Sequence, residues 1–233
     1  LISRKDFDIT AFQAMNKFFQ GKYFDVIIHT AVTGGSRLEK DSWGDMDCNL
    51  AMYYNLLQHR SYYGKLIHFG SGAEDYAKDT PYGMSKYVIK KSIQEQDNFF
   101  NIQVFGVFDE NELETRFIKS NIKRYINREP IMIDVHKKMD FFYMKDLIKL
   151  TKYTIDNPSN KLLKEVHCAY VKNYTLREIA DMINELDQHK VPIYMTDEFG
   201  QDYISPYNAE YGLNYIGLKQ GIVEVYNKLK NEY

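Results

Sequence analysis

Three short apolar runs limit what this chain can fold into: residues 24–31 (Phe-Asp-Val-Ile-Ile-His-Thr-Ala), 65–69 (Lys-Leu-Ile-His-Phe) and 102–108 (Ile-Gln-Val-Phe-Gly-Val-Phe). They are short, largely apolar and free of strict alternation, the pattern of strands buried on both faces of a parallel sheet. The stretches around them carry helical spacing. Residues 11–20 place Phe12, Met15, Phe18 and Phe19 on one face before Gly21 ends the run, and residues 43–58 and 81–94 also read as helices. Strand and helix in alternation predict an α/β chain with a doubly wound parallel sheet, its ligands at the carboxyl ends of the strands.

The texture changes after residue 109. An acidic loop (Asp-Glu-Asn-Glu-Leu-Glu) leads to a basic amphipathic helix over 116–128, a break at Pro130 and a short strand over 131–134. Residues 139–156 return to a strand-turn-helix pattern, and 164–170 reads as another buried strand. Thr175-Leu-Arg-Glu178 is a capping box opening a helix over 176–186, and a last helix covers 218–230. The expected division is a sheet domain from 1–108 with 139–170, and a small lobe from 109–138 with 171–233.

Composition narrows the function. The net charge of −2 offers no basic surface for nucleic acid or an anionic membrane. No apolar run approaches the ~18 residues of a membrane span, and the first residues are too polar for a signal peptide. Two cysteines, Cys48 and Cys168, make no disulfide framework; free thiols in a reducing, cytoplasmic compartment fit better. The six histidines lack zinc-ligand spacing, so no metal site is expected. The 20 Tyr and 14 Phe are read as core and surface packing, since no basic residues interleave with them as in a stacking groove.

Chemistry concentrates in residues 65–87. A strand ends in Gly70-Ser71, a polar loop follows, and a helix opens at Pro81 with Tyr82 and Lys86 four residues apart on one face. A serine hydroxyl, a phenol and an ammonium can together manage one oxygen's proton while hydride moves at the neighbouring carbon. Tyrosine, near pKa 10, is a poor base at neutral pH, and a nearby ammonium favours its phenolate. Tyr-x-x-x-Lys alone is weak, because the same spacing recurs at Tyr215/Lys219 and Tyr226/Lys230, where exposed helix pairs suffice as explanation. The strand and serine upstream give the first copy its weight.

This order of strand, Ser71, loop, Tyr82-x-x-x-Lys86 resembles the active-site segment of the extended short-chain dehydrogenase/reductases, the NAD-dependent epimerase/dehydratase family of nucleotide-sugar epimerases, dehydratases and reductases. The similarity spans the chain and is nearest to members like GDP-fucose synthase. It implies a Rossmann-like dinucleotide-binding domain with a substrate lobe, an NADP or NAD cofactor, a nucleotide-diphosphate sugar as substrate, and a homodimer formed through a two-helix face. It also implies residue roles. Ser71, Tyr82 and Lys86 would be catalytic, with Lys86 also on the nicotinamide ribose. Arg4 would meet a 2′-phosphate, favouring NADP, while Asp8 and Ile9 would flank the adenine. His29, Thr30 and Ala31 would line the cofactor at a strand end, and Val104 and Val107 would pass the nicotinamide. Asn49 would prop the site, and Gly35, in the loop Thr33-Gly34-Gly35, would approach the substrate. Arg116 and Lys138 would contact the sugar or diphosphate, Lys138 standing in where the family's arginine position is Met139.

The departures are equally informative. No Gly-x-Gly-x-x-Gly or Gly-x-x-Gly-x-x-Gly occurs in the chain. The family's phosphate-cradling turn, and the first β-α unit of roughly 30–40 residues that carries it, are therefore expected to be missing, through truncation or loss. The Cys and His that serve C3/C5 epimerisation in fucose synthases match Ala73 and Arg116, neither a neutral-pH acid or base. Dehydratases carry Asp-Glu directly after the serine, whereas Gly72-Ala73 follow Ser71 and Glu74 comes one residue late. The expectation is 4-keto reduction or C4 epimerisation of a nucleotide hexose. The alternatives are a 4,6-dehydratase, or a non-catalytic remnant of the fold serving in binding or assembly.

Overall fold

The computed structural model describes residues 3–36, 39–208 and 211–231. Its central parallel sheet has the strand order β1 (Phe24–His29), β2 (Tyr63–Ser71), β3 (Phe99–Val104), β7 (Glu165–Cys168). Helices α1 (Phe12–Phe19), α2 (Trp43–Gln58) and α4 (Pro81–Gln94) lie between or before these strands in the chain. This is the expected doubly wound architecture. The chain divides into two compact units, Leu1–Gln103 with Thr154–Val166, and Val104–Tyr153 with His167–Tyr233.

In the first unit, Met15 and Phe19 of α1, Tyr53 and Leu56 of α2, Leu66 of β2 and Ile89 and Ile93 of α4 form one apolar core. The helix starts are specified locally. Ser42 and Asp45 close a capping box at α2, and the Thr80 hydroxyl accepts the Gly83 N–H at the start of α4, with Pro81 at the first position. Lys65 is buried on β2, and its ammonium donates to the carbonyls of Thr154, Ile155 and Asn157, satisfying orphan acceptors at the end of α6 (Met144–Asp156).

Two expectations are corrected. The run 24–31 reads as a strand covered on both faces, but β1 stands at the end of the strand order, and Ile28 is 43% exposed. Among the described residues β1 is paired along one edge only, which keeps part of its surface open. Residues 102–108 do not form one strand: β3 ends at Val104, and β4 (Val107–Phe108) pairs in parallel with β6 (Phe142–Tyr143) instead. The break falls at Gly106, where an added Cβ would come within 2.9 Å of the Asp140 carbonyl.

The second unit has its own core, built from α5 (Phe117–Ile126), α7 (Leu176–Asn184), α8 (Leu218–Lys230) and β5 (Ile131–Ile133), which pairs in parallel with β8 (Ile193–Met195). Thr175 and Glu178 form the capping box read from the sequence. The buried Asp146 carboxylate accepts the N–H groups of Ile216 and Gly217 and the Tyr170 hydroxyl. Met139 is a core residue.

Candidate active site

The site is assembled within the first unit from three segments. β2 runs out at Ser71, and the stretch expected as a polar loop carries a short helix, α3 (Ala73–Tyr76), before α4 begins. Gly83 lets α4 approach this turn. A Cβ there would lie 1.9 Å from the Ala77 carbonyl oxygen, so no other residue fits without moving the backbone. Helical spacing then sets Tyr82 and Lys86 on one face, with the Lys86 ammonium 5.9 Å from the Tyr82 ring centre. The Ser71 side chain acts on the phenol, drawing its pKa downward. Tyr82 and Lys86 thus share one face of α4, and Ser71 ends the strand beside them.

The loop after β1 closes over this face. Gly34 and Gly35 both adopt positive φ (75° and 73°), and a Cβ on Gly35 would fall 2.8 Å from the Tyr82 ring. Asn49 fixes the loop. Its amide oxygen accepts the Thr33 N–H at 2.9 Å, while its nitrogen donates to the Thr33 carbonyl at 3.0 Å and to the Ser85 hydroxyl at 3.2 Å. One buried side chain thus ties the glycine loop to α4.

The electrostatics differ from the simple expectation for Tyr82. Burial raises its pKa, the Ser71 hydrogen bond works downward, and the nearby Glu74 and Asp41 carboxylates push it up again, so the resting phenol stays protonated. Lys86 itself is held at about 8 by burial, with Glu74 pulling it upward. Its ammonium donates to the Phe69 carbonyl at 2.7 Å.

Sequence reasoning missed the residues beneath this triad. Glu74 is fully buried, its carboxylate accepting the Ser71 N–H at 2.6 Å and the Asn101 amide at 3.1 Å, and burial raises its pKa to about 7. Gln103 donates to the Ser71 carbonyl at 3.1 Å and to Asp75 at 2.7 Å. Glu74 thus serves as an internal acceptor for the turn that carries Ser71. His29 and His68 stand opposite one another in the β1–β2 register, with Nδ1 to Nδ1 at 3.0 Å. The signal was present, one histidine towards the end of each apolar run, but it acquires meaning only once the register is known.

A cavity of about 610 Å³ runs along β1, lined among others by Arg4, Asp8, Ile9, His29, Thr30 and Ala31. Six positions read as cofactor contacts therefore share one hollow, and His29 Nε2 is a buried atom without a hydrogen-bond partner among the described residues. The remaining expected positions belong to the second unit. Val104 ends β3 and Val107 opens β4, both half-buried. Arg116 precedes α5 and lies 3.9 Å from Glu112, and Lys138 is exposed, its backbone N–H donating to Asp202. Among the described residues, no cluster of His, Cys, Asp and Glu could hold a metal, and no helix is long and apolar enough to cross a membrane. The Tyr-x-x-x-Lys spacing also occurs at Tyr87 and Lys91, the next turn of α4, where the ammonium lies 5.7 Å from the ring centre.

Residues 3–168 match the model of the NAD dependent epimerase/dehydratase family. The chain belongs to that family of enzymes. Several solved structures share the fold. GDP-mannoheptose C4 reductase from Campylobacter jejuni, solved with NADP bound, aligns over 99% of this chain and 90% of its own, with a TM-score of 0.79 and 16% identity. UDP-glucuronic acid 4-epimerase from Bacillus cereus, solved as a tyrosine-to-phenylalanine mutant in complex with a fluorinated UDP-glucuronic acid and NAD, aligns over 98% and 81%, with a TM-score of 0.78 and 16% identity. A GDP-D-glycero-L-gluco-heptose synthase from Campylobacter jejuni, solved in the presence of NADPH, aligns over 99% and 89%, with a TM-score of 0.79 and 15% identity. No curated protein matches the sequence.

Proposed function

We propose that this protein is an NAD(P)-dependent nucleotide-sugar oxidoreductase acting at a single sugar carbon, by 4-keto reduction or C4 epimerisation, with Ser71, Tyr82 and Lys86 as its catalytic group. The observation that carries this reading is the convergence of a strand-end serine, a phenol and a buried ammonium beneath the Gly34-Gly35 loop. Tyr82 gives a proton to the sugar oxygen in reduction and takes one in oxidation. Ser71, at the strand end beside that phenol, holds the same oxygen in line. As the phenol gives up its proton, the Lys86 charge beside the ring favours the phenolate that forms.

A bound nicotinamide cofactor supplies the hydride exchange. The chain's residues fit such a group along β1: a hollow of about 610 Å³ carries Arg4 and Asp8, the exposed strand end Thr30-Ala31, and the orphan nitrogen of His29. Arg4 would hold a 2′-phosphate, which selects NADP; Asp8 and Ile9 would hold adenine; Asn49, Val104 and Val107 complete the assignment. Gly35, Arg116 and Lys138 are assigned to the nucleotide sugar. The neighbours named GDP-mannoheptose C4 reductase and UDP-glucuronic acid 4-epimerase support the nucleotide-sugar class of substrate. Dehydration is disfavoured, because the Glu74 carboxylate is fully buried and engaged by Ser71 N–H and Asn101.

The test is an assay of GDP- and UDP-hexoses and their 4-keto forms with NADPH and NAD. Oxidation of NADPH that depends on a 4-keto sugar supports the reductase; interconversion of C4 epimers without net cofactor change supports the epimerase. Absence of both, with the protein folded, leaves the binding remnant.

A further inference from the structure

His68 has no part in the mechanism above and His29 enters it only as a lining residue of the hollow along β1, yet together they lead directly to Lys86. They stand in register towards the carboxyl ends of β1 and β2, both buried, with Nδ1 facing Nδ1 at 3.0 Å. The far nitrogen of His68, Nε2, lies 3.5 Å from the Lys86 ammonium. The far nitrogen of His29 is buried and without a partner among the described residues, on a residue that lines the cavity along β1. Two facing ring nitrogens at this distance can hold only one proton between them, so one ring donates and the other accepts. We propose that His29 and His68 form a proton-exchange path to Lys86, in which a coupled tautomer change of both rings moves one proton between Lys86 Nζ and the outer nitrogen of His29.

The balance is complete in either direction. With Lys86 charged, its N–H donates to His68 Nε2, His68 Nδ1–H donates to His29 Nδ1, and the outer nitrogen of His29 carries a proton. Outward transfer places the Lys86 proton on His68 Nε2 and the His68 Nδ1 proton on His29 Nδ1, and the His29 Nε2 proton passes to a water admitted beside this ring from the cavity it lines. Inward transfer is the reverse and draws its proton from that water. Neither ring is left charged, as a buried pair requires; burial and the Lys86 charge both hold His29 and His68 below the ordinary histidine range. Lys86 suits the exchange because burial brings its pKa to about 8, against the pull of Glu74 from α3. The other titratable groups near the path are Tyr82 on α4 and Tyr53 on α2, whose ring meets His68 edge-on at 6.2 Å. The path reaches Lys86 through the sheet, so its charge can be reset without passing the Tyr82 phenol where the sugar oxygen would sit.

The proposal rests on Lys86 serving Tyr82 as set out above, and it is tested separately from that role. Nitrogen-15 NMR of the histidine-labelled protein reads the two tautomers directly. On raising the pH through about 8, the proton on His68 moves from Nδ1 to Nε2 while His29 gains one at Nδ1, and both changes vanish in Lys86→Met. Tautomers that stay fixed through this range, or rings that each titrate near 6.5 as free histidines do, overturn the path. In turnover, His68→Phe lowers the rate about tenfold and alters its solvent isotope effect; an unchanged rate and isotope effect in a folded variant also overturns it. Loss of the tautomer switch with Tyr82→Phe still inactive removes the path and keeps the functional reading. A switch that persists while Tyr82→Phe remains fully active does the opposite.

Discussion

In the proposed mechanism Lys86 sets the pH behaviour of the site. Its ammonium is needed beside the phenol, and burial places its pKa at about 8, so the charged form is lost as pH rises through that value. The rate of 4-keto reduction is therefore expected to fall on the alkaline side of pH 8, where an unperturbed lysine would hold its charge to about 10.4. A rate profile flat to pH 10 would contradict this. Gly35 gives a second residue-scale prediction. Alanine there meets the Tyr82 ring at 2.8 Å and must also accept φ of 73°. Gly35→Ala should cost at least ~1 kcal/mol of stability and roughly tenfold in turnover, with less effect on cofactor affinity measured by fluorescence titration. The placement of Tyr82 and Lys86 on one helix face after the strand-end Ser71 was legible in the sequence because it depends on local spacing. Glu74, buried beneath Ser71, was not, because its role depends on the depth of α3, which a four-residue helix does not announce.

At the scale of elements, the bounds of α4 were readable, from the opening at Pro81 to Gln94. Strand-to-strand pairing was not. The His29–His68 pair arises from the register of β1 on β2, and the β3–β4 break arises from the close approach of Gly106 to the Asp140 carbonyl. Neither follows from hydrophobic pattern alone, since pattern identifies a strand and not its partner. Asn49 links two elements, so its removal has a structural cost as well as a catalytic one. Asn49→Ala leaves the Thr33 N–H and carbonyl without their side-chain partner and frees the glycine loop from Ser85. Denaturant unfolding should show a loss of about 1–3 kcal/mol. A variant as stable as the wild type would mean the loop is held by other contacts.

For the whole molecule, burial of ionisable groups in the first unit makes stability depend on pH in two opposed ways. His29 and His68 are kept neutral in the fold, below the ordinary 6.5. Unfolding lets them bind protons once pH falls below 6.5, so each removes up to ~1.4 kcal/mol per pH unit on the acid side. Glu74 acts the other way. Its folded pKa of about 7 exceeds the ordinary 4.5, so its contribution is full below 4.5 and is lost as pH rises to about 7. Thermal unfolding of His68→Phe should show a shallower acid loss than the wild type, and Glu74→Gln should remove the decline between 4.5 and 7. Identical pH slopes in both variants would contradict these assignments. The α/β class and the family were legible at this scale from strand-helix alternation and one motif. The open flank of β1 was not, because an apolar run reads the same whether one edge of its strand is paired or two.

In the proposed reaction Tyr82 moves the proton at the reacting sugar oxygen. This role is tested most directly by Tyr82→Phe, which removes one hydroxyl and keeps the ring against Gly35. In an assay of 4-keto nucleotide-sugar reduction or C4 epimerisation, with NADPH and NAD affinities measured alongside, turnover should drop roughly 10²–10⁴-fold while cofactor affinity stays within about twofold. Turnover equal to that of the wild type would contradict the account.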